Sequence, residues 1–192
     1  MKIEIYYYEL PFLENNEIFS KRCSTMLKEK ILAEIYGISN LKQEIFYTSK
    51  GKGLLPKQVI HFSMSHSGKY IFLAVAPENI GIDIQLKDEA NINIFDIADL
   101  FFSEAQAVTL KSSENPLEDF FKIWSAKEAL VKYLGLSFDE IKDFIIDFDS
   151  YLVFFDGEKY NLYNDKIFNE YILAIIAQNN ISSIKFNRIS RL

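Results

Sequence analysis

Apolar and polar residues alternate over residues 2–8, with Ile3 and Ile5 on one face, which predicts a strand. Over residues 17–36 the period lengthens. Ile18, Met26, Leu27, Ile31 and Ile35 fall near one face of a predicted amphipathic helix, and Gly37 stands where a C′ glycine would end it. Residues 44–48 predict a short strand, and Lys50-Gly51-Lys52-Gly53 a basic, flexible turn. Residues 59–64 and 70–76 predict two strands that bracket Ser65-His66-Ser67-Gly68. Pro77-Glu78-Asn79 then turns the chain into a strand over residues 80–86.

An acidic, asparagine-containing stretch follows at residues 88–93. Ser103 and Gln106 have the spacing of a capping box. Asn115-Pro116-Leu117-Glu118 is a stronger helix start, with Asn as N-cap, Pro at N1 and Glu at N3. That helix is expected to run through Trp124 to about Leu134 and to stop at Gly135. From Asp143 onward the pattern is β again, over residues 144–148, 151–155, 159–163, 171–177 and 183–186. Each half combines a helix with several strands, and no low-complexity linker or short repeat interrupts them. The expected fold is α+β, with two similar lobes at residues 1–78 and 79–192.

Composition narrows the function. Of 192 residues, 49% are hydrophobic and 15% aromatic, which argues against a disordered chain and allows a sizeable core. A net charge of −6 disfavours a general nucleic-acid binder, though a local basic patch for a phosphorylated ligand is compatible with it. The single Cys23 allows no internal disulfide and no thiolate metal site, which fits a reducing compartment. The N-terminus lacks the basic start and long apolar core of a signal peptide, and the apolar runs are too short to span a bilayer. A soluble cytoplasmic protein with no membrane partner is expected.

Four features carry possible chemistry. In Gly81-Ile82-Asp83-Ile84-Gln85 an acid sits inside an apolar strand, where burial is costly unless something pairs with it. Asp83 and Gln85 share one strand face and could reach one hard cation; the plainer reading is a half-polar strand. Trp124, Glu128 and Lys132 lie at i, i+4 and i+8 on one helical stripe; the plainer reading is a surface Glu–Lys pair. The run from Ser63 to Gly68 places small hydroxyls and His66 where a phosphate could be cradled. Lysines and arginine cluster early, at Lys21, Arg22, Lys28, Lys30, Lys50, Lys52, Lys57 and Lys69, and could steer a polyphosphate. No Walker loop, GxGxxG run, zinc-type Cys/His cluster or GxSxG elbow is present.

Taken in order, these segments resemble the 4′-phosphopantetheinyl transferases of the Sfp-type, two-lobed single-chain class. The order is GKG at Gly51, SHSGKY at Ser65, GIDI at Gly81, FFSEAQ at Phe101 and WSAKEALVK at Trp124. The last matches the family pattern W-x-x-K-E-[AS]-x-x-K at every fixed position. The resemblance implies transfer of the phosphopantetheine arm of coenzyme A to a serine of an apo acyl or peptidyl carrier protein. It also implies a site in the cleft between two pseudo-twofold lobes, and a monomer, because both halves of the site lie on one chain.

By resemblance, Asp83 and Glu128 would hold Mg²⁺, Glu128 would be the base, and Lys132 would stabilise or protonate the leaving phosphate. Lys127 would bind phosphate, Ser65 and His66 would contact the 3′-phosphate and pyrophosphate, and Lys52 would lie near the adenine. Lys21, Arg22 and Lys28 are the candidates for the 3′-phosphate. Three residues depart from the family pattern: Gln85 stands where an acid is usual, Gln106 where an acid is common, and Gly53 where proline is usual. Gln85 would be a weaker, neutral metal ligand, so reduced Mg²⁺ affinity is expected. Gln85 and Gln106 also motivate an alternative, a non-catalytic module that binds coenzyme A or a carrier protein.

Overall fold

The computed structural model describes residues 1–11, 17–87, 93–141 and 143–192. Its architecture is mixed α+β, and one motif of strand, helix and hairpin occurs twice. In the first copy, β1 (Lys2–Glu9) leads to α1 (Glu17–Lys30), which continues as a wider turn over Ile31–Ile35. A four-residue helix, α2 (Leu41–Glu44), and a small ladder of β2 (Phe46–Tyr47) with β3 (Gly53–Leu54) follow. The hairpin of β4 (His61–Ser67) and β5 (Tyr70–Ala76) closes the copy, with β5 antiparallel between β1 and β4.

The second copy begins at β6 (Ile80–Leu86) and passes through α3 (Ile94–Phe101) and α4 (Glu104–Lys111) to the long helix α5 (Pro116–Leu134). A turn of 3₁₀ helix at Phe138–Ile141 leads to β7 (Ile145–Asp147) and β8 (Leu152–Phe155). The hairpin of β9 (Glu158–Ile167) and β10 (Tyr171–Ala177) puts β10 antiparallel between β6 and β9. The last strand, β11 (Ser183–Ile189), crosses back and pairs in parallel with β1, from Lys2 opposite Ser183 to Tyr8 opposite Ile189.

Period-two patterning sorts the core into layers. Ile3, Ile5, Phe72 and Ala74 of the first sheet meet Ile82, Ile84, Leu173 and Ile175 of the second. On the outer face of the first sheet, Leu27 and Ile31 pack with Tyr6, Ile71 and Leu73. On the outer face of the second, Ala126, Ala129 and Leu130 pack with Ile172, Ala174 and Ile176. β5 and β10 are buried along their whole length, which is why both read as unbroken apolar runs.

The two sheets are joined by a seam of serines. The Oγ atoms of Ser63, Ser65 and Ser67 accept the backbone N–H groups of Ile82 (3.1 Å), Ile84 (3.2 Å) and Leu86 (2.9 Å). β6 is an edge strand, and these hydroxyls replace the carbonyls of a missing neighbour. The Ser-x-Ser-x-Ser spacing of β4 matches the two-residue repeat of β6.

Several predicted details change. Ser65 to Ser67 belong to strand β4, and the reversal falls at Gly68, whose φ of +51° suits glycine. The predicted apolar face of α1 is displaced: Ile18 is 81% exposed and Ile35 52%, while Cys23, Leu27, Ile31 and Leu32 are buried. The widened turn at Ile31–Ile35, where Tyr36 N–H reaches Ile31 O at 3.3 Å, rotates the phase so that adjacent Ile31 and Leu32 both face inward. Of residues 44–48, only Phe46 and Tyr47 form a strand, β2, and Glu44 ends α2.

Helix α3 was not anticipated. Asn93 caps it, accepting from Phe95 N–H and Asp96 N–H. Asn93 is the one described residue of the acidic 88–93 stretch; the rest lies outside the described residues. The Ser103–Gln106 capping box is present, and α5 starts at Pro116 and ends at Gly135 (φ +70°) as expected, although the Asn115 side chain makes no capping bond. Among the described residues, no helix is long and apolar enough to cross a membrane.

Candidate active site

The site begins with a glycine. α5 lies so close to β6 that a Cβ on Gly81 would sit 2.0 Å from Ala129 O and 2.6 Å from Tyr133 N. Only glycine permits that approach, and it brings the stripe of Glu128 and Lys132 over the outer face of β6. Asp83, two residues along on that face, is 2% exposed.

Asp83 is fully engaged. Its Oδ1 accepts from Ser65 Oγ–H (2.7 Å) and Lys132 Nζ (2.6 Å), and its Oδ2 accepts from Gln85 Nε2 (2.8 Å). Ser65 is saturated too: it donates to Asp83 and accepts from Ile84 N–H and from Lys132 Nζ (2.9 Å). The seam that joins the sheets therefore also orients the buried acid.

Glu128 is the opposite case. Its carboxylate is half-buried and has no hydrogen-bond partner among the described residues. Burial raises its pKa above the ordinary carboxylate value, and the Asp83 charge adds to this, while Lys132 and Lys127 pull it back down. Glu128 lines a cavity of about 430 Å³, together with Lys28, Tyr47, Lys50, Lys52 and Lys132. One wall comes from residues 28–64 and the other from residues 128–136. A larger groove, about 650 Å³ along β9 and β11, holds none of the predicted site residues.

The remaining predicted residues scatter. His66 projects from β4, and partial burial and the charge of Lys132 lower its pKa. Of the three candidates for the 3′-phosphate, Lys28 lines the cavity, where it donates to Tyr47 Oη at 2.6 Å; Lys21 pairs with Glu17 at 2.7 Å, and Arg22 is exposed. Lys127 is not brought to the cavity. It is fully buried, donates to Phe101 O and lies 4.3 Å from the centre of the Phe138 ring. The two lysines are five positions apart, so their side chains leave the helix about 140° apart. Trp124 packs against Phe120, Phe101 and Phe138 rather than joining the acids.

The stem of Lys52 lines the cavity, but its ammonium turns to the end of α5. Desolvation there lowers its pKa to about 8. Gly53 has a packing reason to differ from proline: a Cβ would meet the Phe62 ring at 2.5 Å and the Tyr47 ring at 3.3 Å. Gln106 is spent on the α4 cap, with Oε1 accepting from Ser103 N–H at 3.2 Å. Sequence reasoning missed Tyr47, Asn79 and the seam role of Ser63 and Ser67. The alternating serines opposite an alternating strand were the available signal for the seam.

Among the described residues, no three Asp, Glu, His or Cys side chains gather where a metal could be held. Asp83 and Glu128 do offer two carboxylates, each close enough for the charge of Asp83 to be felt at Glu128. The arrangement is an acid with no hydrogen-bond partner among the described residues and a paired lysine beside a lysine-walled cavity. It can accept a proton, neutralise phosphate charge and share a hard cation with a polyphosphate.

A model described as "4'-phosphopantetheinyl transferase superfamily" matches residues 79–176, just over half of the chain. Among curated relatives, a 4′-phosphopantetheinyl transferase of Bacillus subtilis is 34% identical over 113 residues, covering 57% of this chain and 49% of that protein. The 4′-phosphopantetheinyl transferase psf-1 of Bacillus pumilus is 34% identical over 114 residues, covering 57% and 47%. The 4′-phosphopantetheinyl transferase gsp of Aneurinibacillus migulanus is 30% identical over 112 residues, covering 57% and 46%. The chain spans about half the length of the curated relatives it matches.

Proposed function

This chain belongs to the 4′-phosphopantetheinyl transferase superfamily, and from that premise we propose that it transfers the phosphopantetheine arm of coenzyme A to a serine hydroxyl of an apo acyl or peptidyl carrier protein. Adenosine 3′,5′-bisphosphate is the other product. The observation that carries this reading is Glu128, without a hydrogen-bond partner among the described residues, on the wall of a cavity that four lysines line.

In this reading Glu128 takes the proton of the carrier serine, and its raised pKa makes it a stronger base than an ordinary carboxylate. The serine oxygen bonds to the phosphorus that carries the pantetheine arm, and the pyrophosphate bond to the adenosine bisphosphate breaks. Lys132, held on Asp83 and Ser65, lies beside Glu128 and neutralises charge on the leaving phosphate or protonates it. Lys28 and His66 are proposed phosphate contacts, and the apolar side of the cavity at Phe62, Met64 and Leu136 suits the less polar parts of the substrate.

The family implies magnesium, and the residues fit it in part. Asp83 and Glu128 would hold the ion, with Gln85 offering an amide oxygen if its bond to Asp83 reorganises; two carboxylates are the share that magnesium takes when phosphates and waters supply the rest. When bound, the ion would screen the pyrophosphate charge. With Gln85 neutral, its affinity before coenzyme A binds is expected to be low.

We also read residues 1–78 and 79–192 as two lobes, with β11 returning to the first and the cavity in the cleft between them. The repeated strand, helix and hairpin supports this. Both cavity walls come from one chain, which supports a monomer. A cytoplasmic enzyme without nucleic-acid or membrane partners remains our reading. The non-catalytic alternative loses part of its motive at Gln106, which serves the α4 cap.

The test is intact-mass spectrometry of apo carrier proteins incubated with this protein, coenzyme A and Mg²⁺, with a chelator control. A metal-dependent gain of one phosphopantetheine arm supports the reading. No gain across acyl and peptidyl carriers, with coenzyme A still bound, overturns it in favour of the non-catalytic module.

A further inference from the structure

The geometry points to Lys52 as a positioning residue, part of a latch with Asn79 that fixes the last turn of α5 and so places Lys132. The inference rests on the proposed role of Lys132.

The last four carbonyls of a helix have no partner within it. Gly135, in the left-handed conformation, returns its N–H to Val131 O (2.8 Å), and Leu136 N–H reaches the same oxygen (3.3 Å). The helix's own cap therefore serves Val131. The carbonyls of Lys132 and Tyr133 are served from elsewhere in the chain. Lys52 Nζ donates to Lys132 O (2.8 Å), to Tyr133 O and to Asn79 Oδ1 (2.7 Å). Asn79 Nδ2 donates to Tyr133 O at 3.0 Å. The positive charge also sits at the negative end of the helix dipole.

Each end of this latch is itself held. Lys52 stands in a tight turn, where its N–H reaches Thr48 Oγ1 (3.1 Å) and its carbonyl accepts from Thr48 N–H (2.9 Å). Asn79 lies in the connection between β5 and β6, where the chain passes from the first motif to the second. Lys132 is thus gripped twice: by its carbonyl through Lys52, and by its ammonium through Asp83 and Ser65.

All three N–H bonds of the Lys52 ammonium are used, so none remains for a phosphate or an adenine. The side chain borders the cavity and acts on the reaction through the backbone of Lys132. That differs from the substrate contact expected for this position.

Lys52→Met and Asn79→Ala test it. Steady-state transfer should show kcat reduced on the order of 10–100-fold for Lys52→Met, with KM for coenzyme A within about threefold of the parent. Asn79→Ala should lower kcat in the same direction, and the double variant should be no worse than Lys52→Met alone, because both act on one turn. A KM for coenzyme A raised about tenfold with kcat held would make Lys52 a ligand and overturn the latch. An unchanged kcat in both variants would overturn it as well. If Lys52→Met fails to fold, Asn79→Ala decides the matter alone. Nitrogen-15 NMR of the lysine ammonium groups gives a readout independent of turnover. The Lys132 resonance should shift in Asn79→Ala, and no shift would overturn the latch. Should the unsubstituted protein transfer nothing while this shift is seen, the functional reading fails and the latch stands.

Discussion

α1 and α5 are the longest helices of their motifs and each covers one sheet, yet they are held in different ways. α1 rests on its sheet through side chains, Leu27 and Ile31 against Tyr6, Ile71 and Leu73. It leaves Ile18 and Met26 exposed and loosens into a wide turn before Gly37. α5 rests on its sheet through backbone, with Gly81 beneath Ala129 and Tyr133. Its start is set by Pro116, its end by Gly135, and its last carbonyls by Lys52 and Asn79. The helix proposed to carry the chemistry is the one whose distance from its sheet is set by atoms that cannot rearrange. A side-chain contact can give by a few tenths of an ångström; a carbonyl 2.0 Å from a new methyl cannot.

Gly81→Ala should therefore have the largest effect. The helix must lift or the strand must shift, and either pulls Lys132 off Asp83 and displaces Glu128 with it. Transfer activity should fall at least about 10³-fold, with the folded yield also reduced. The matching change under α1, Leu27→Ala, should cost about 2–5 kcal/mol of stability and leave kcat unchanged when assayed well below its melting temperature. Near-parent activity in Gly81→Ala would break the comparison at once.

Next comes the carboxylate itself. Glu128→Gln should lower kcat by about 10²–10⁴-fold while coenzyme A binding, followed calorimetrically, stays within about threefold. Lys127→Met sharpens the contrast on the same helix. It removes a buried ammonium that holds Phe101 O, so it should lower the melting temperature without raising KM for coenzyme A. A raised KM would place Lys127 back among the phosphate contacts.

What could be read in advance follows the same divide. Local rules gave the strands of the two buried hairpins, the Ser103–Gln106 box, and both ends of α5, because each depends on residues within a few positions of one another. The resemblance assigns both Lys127 and Lys132 to phosphate. Their fates depend on Phe101, and on Asp83 and Ser65, 26 to 67 residues away. The resemblance places Lys52 near the adenine; the carbonyls that claim its ammonium lie 80 and 81 residues further on. Ser65 to Ser67 looked like a turn because small hydroxyls favour turns, and tertiary pairing with β6 overrode that preference. α3 escaped notice because it is only eight residues long and its cap, Asn93, closes an acidic stretch.

The smallest effect is on stability and follows from Glu128 lacking what Asp83 has. Its pKa is higher in the folded protein than in the unfolded chain, so between those two values the folded state holds more protons. Stability contributed by this group is therefore complete below the ordinary carboxylate value and is lost as pH rises through the raised one. Glutamine carries no such penalty. Glu128→Gln should melt above the parent at pH 7, and the gap should close as the buffer is taken toward pH 4. For a chain of this size each kcal/mol moves the midpoint by about 2–4 °C, so the difference is small but measurable by scanning calorimetry. Melting curves of the two proteins that stay parallel from pH 4 to pH 7 would mean that Glu128 is as comfortable in its place as Asp83. The contrast between a satisfied acid and a poised one would then be lost, even with the activity defect intact.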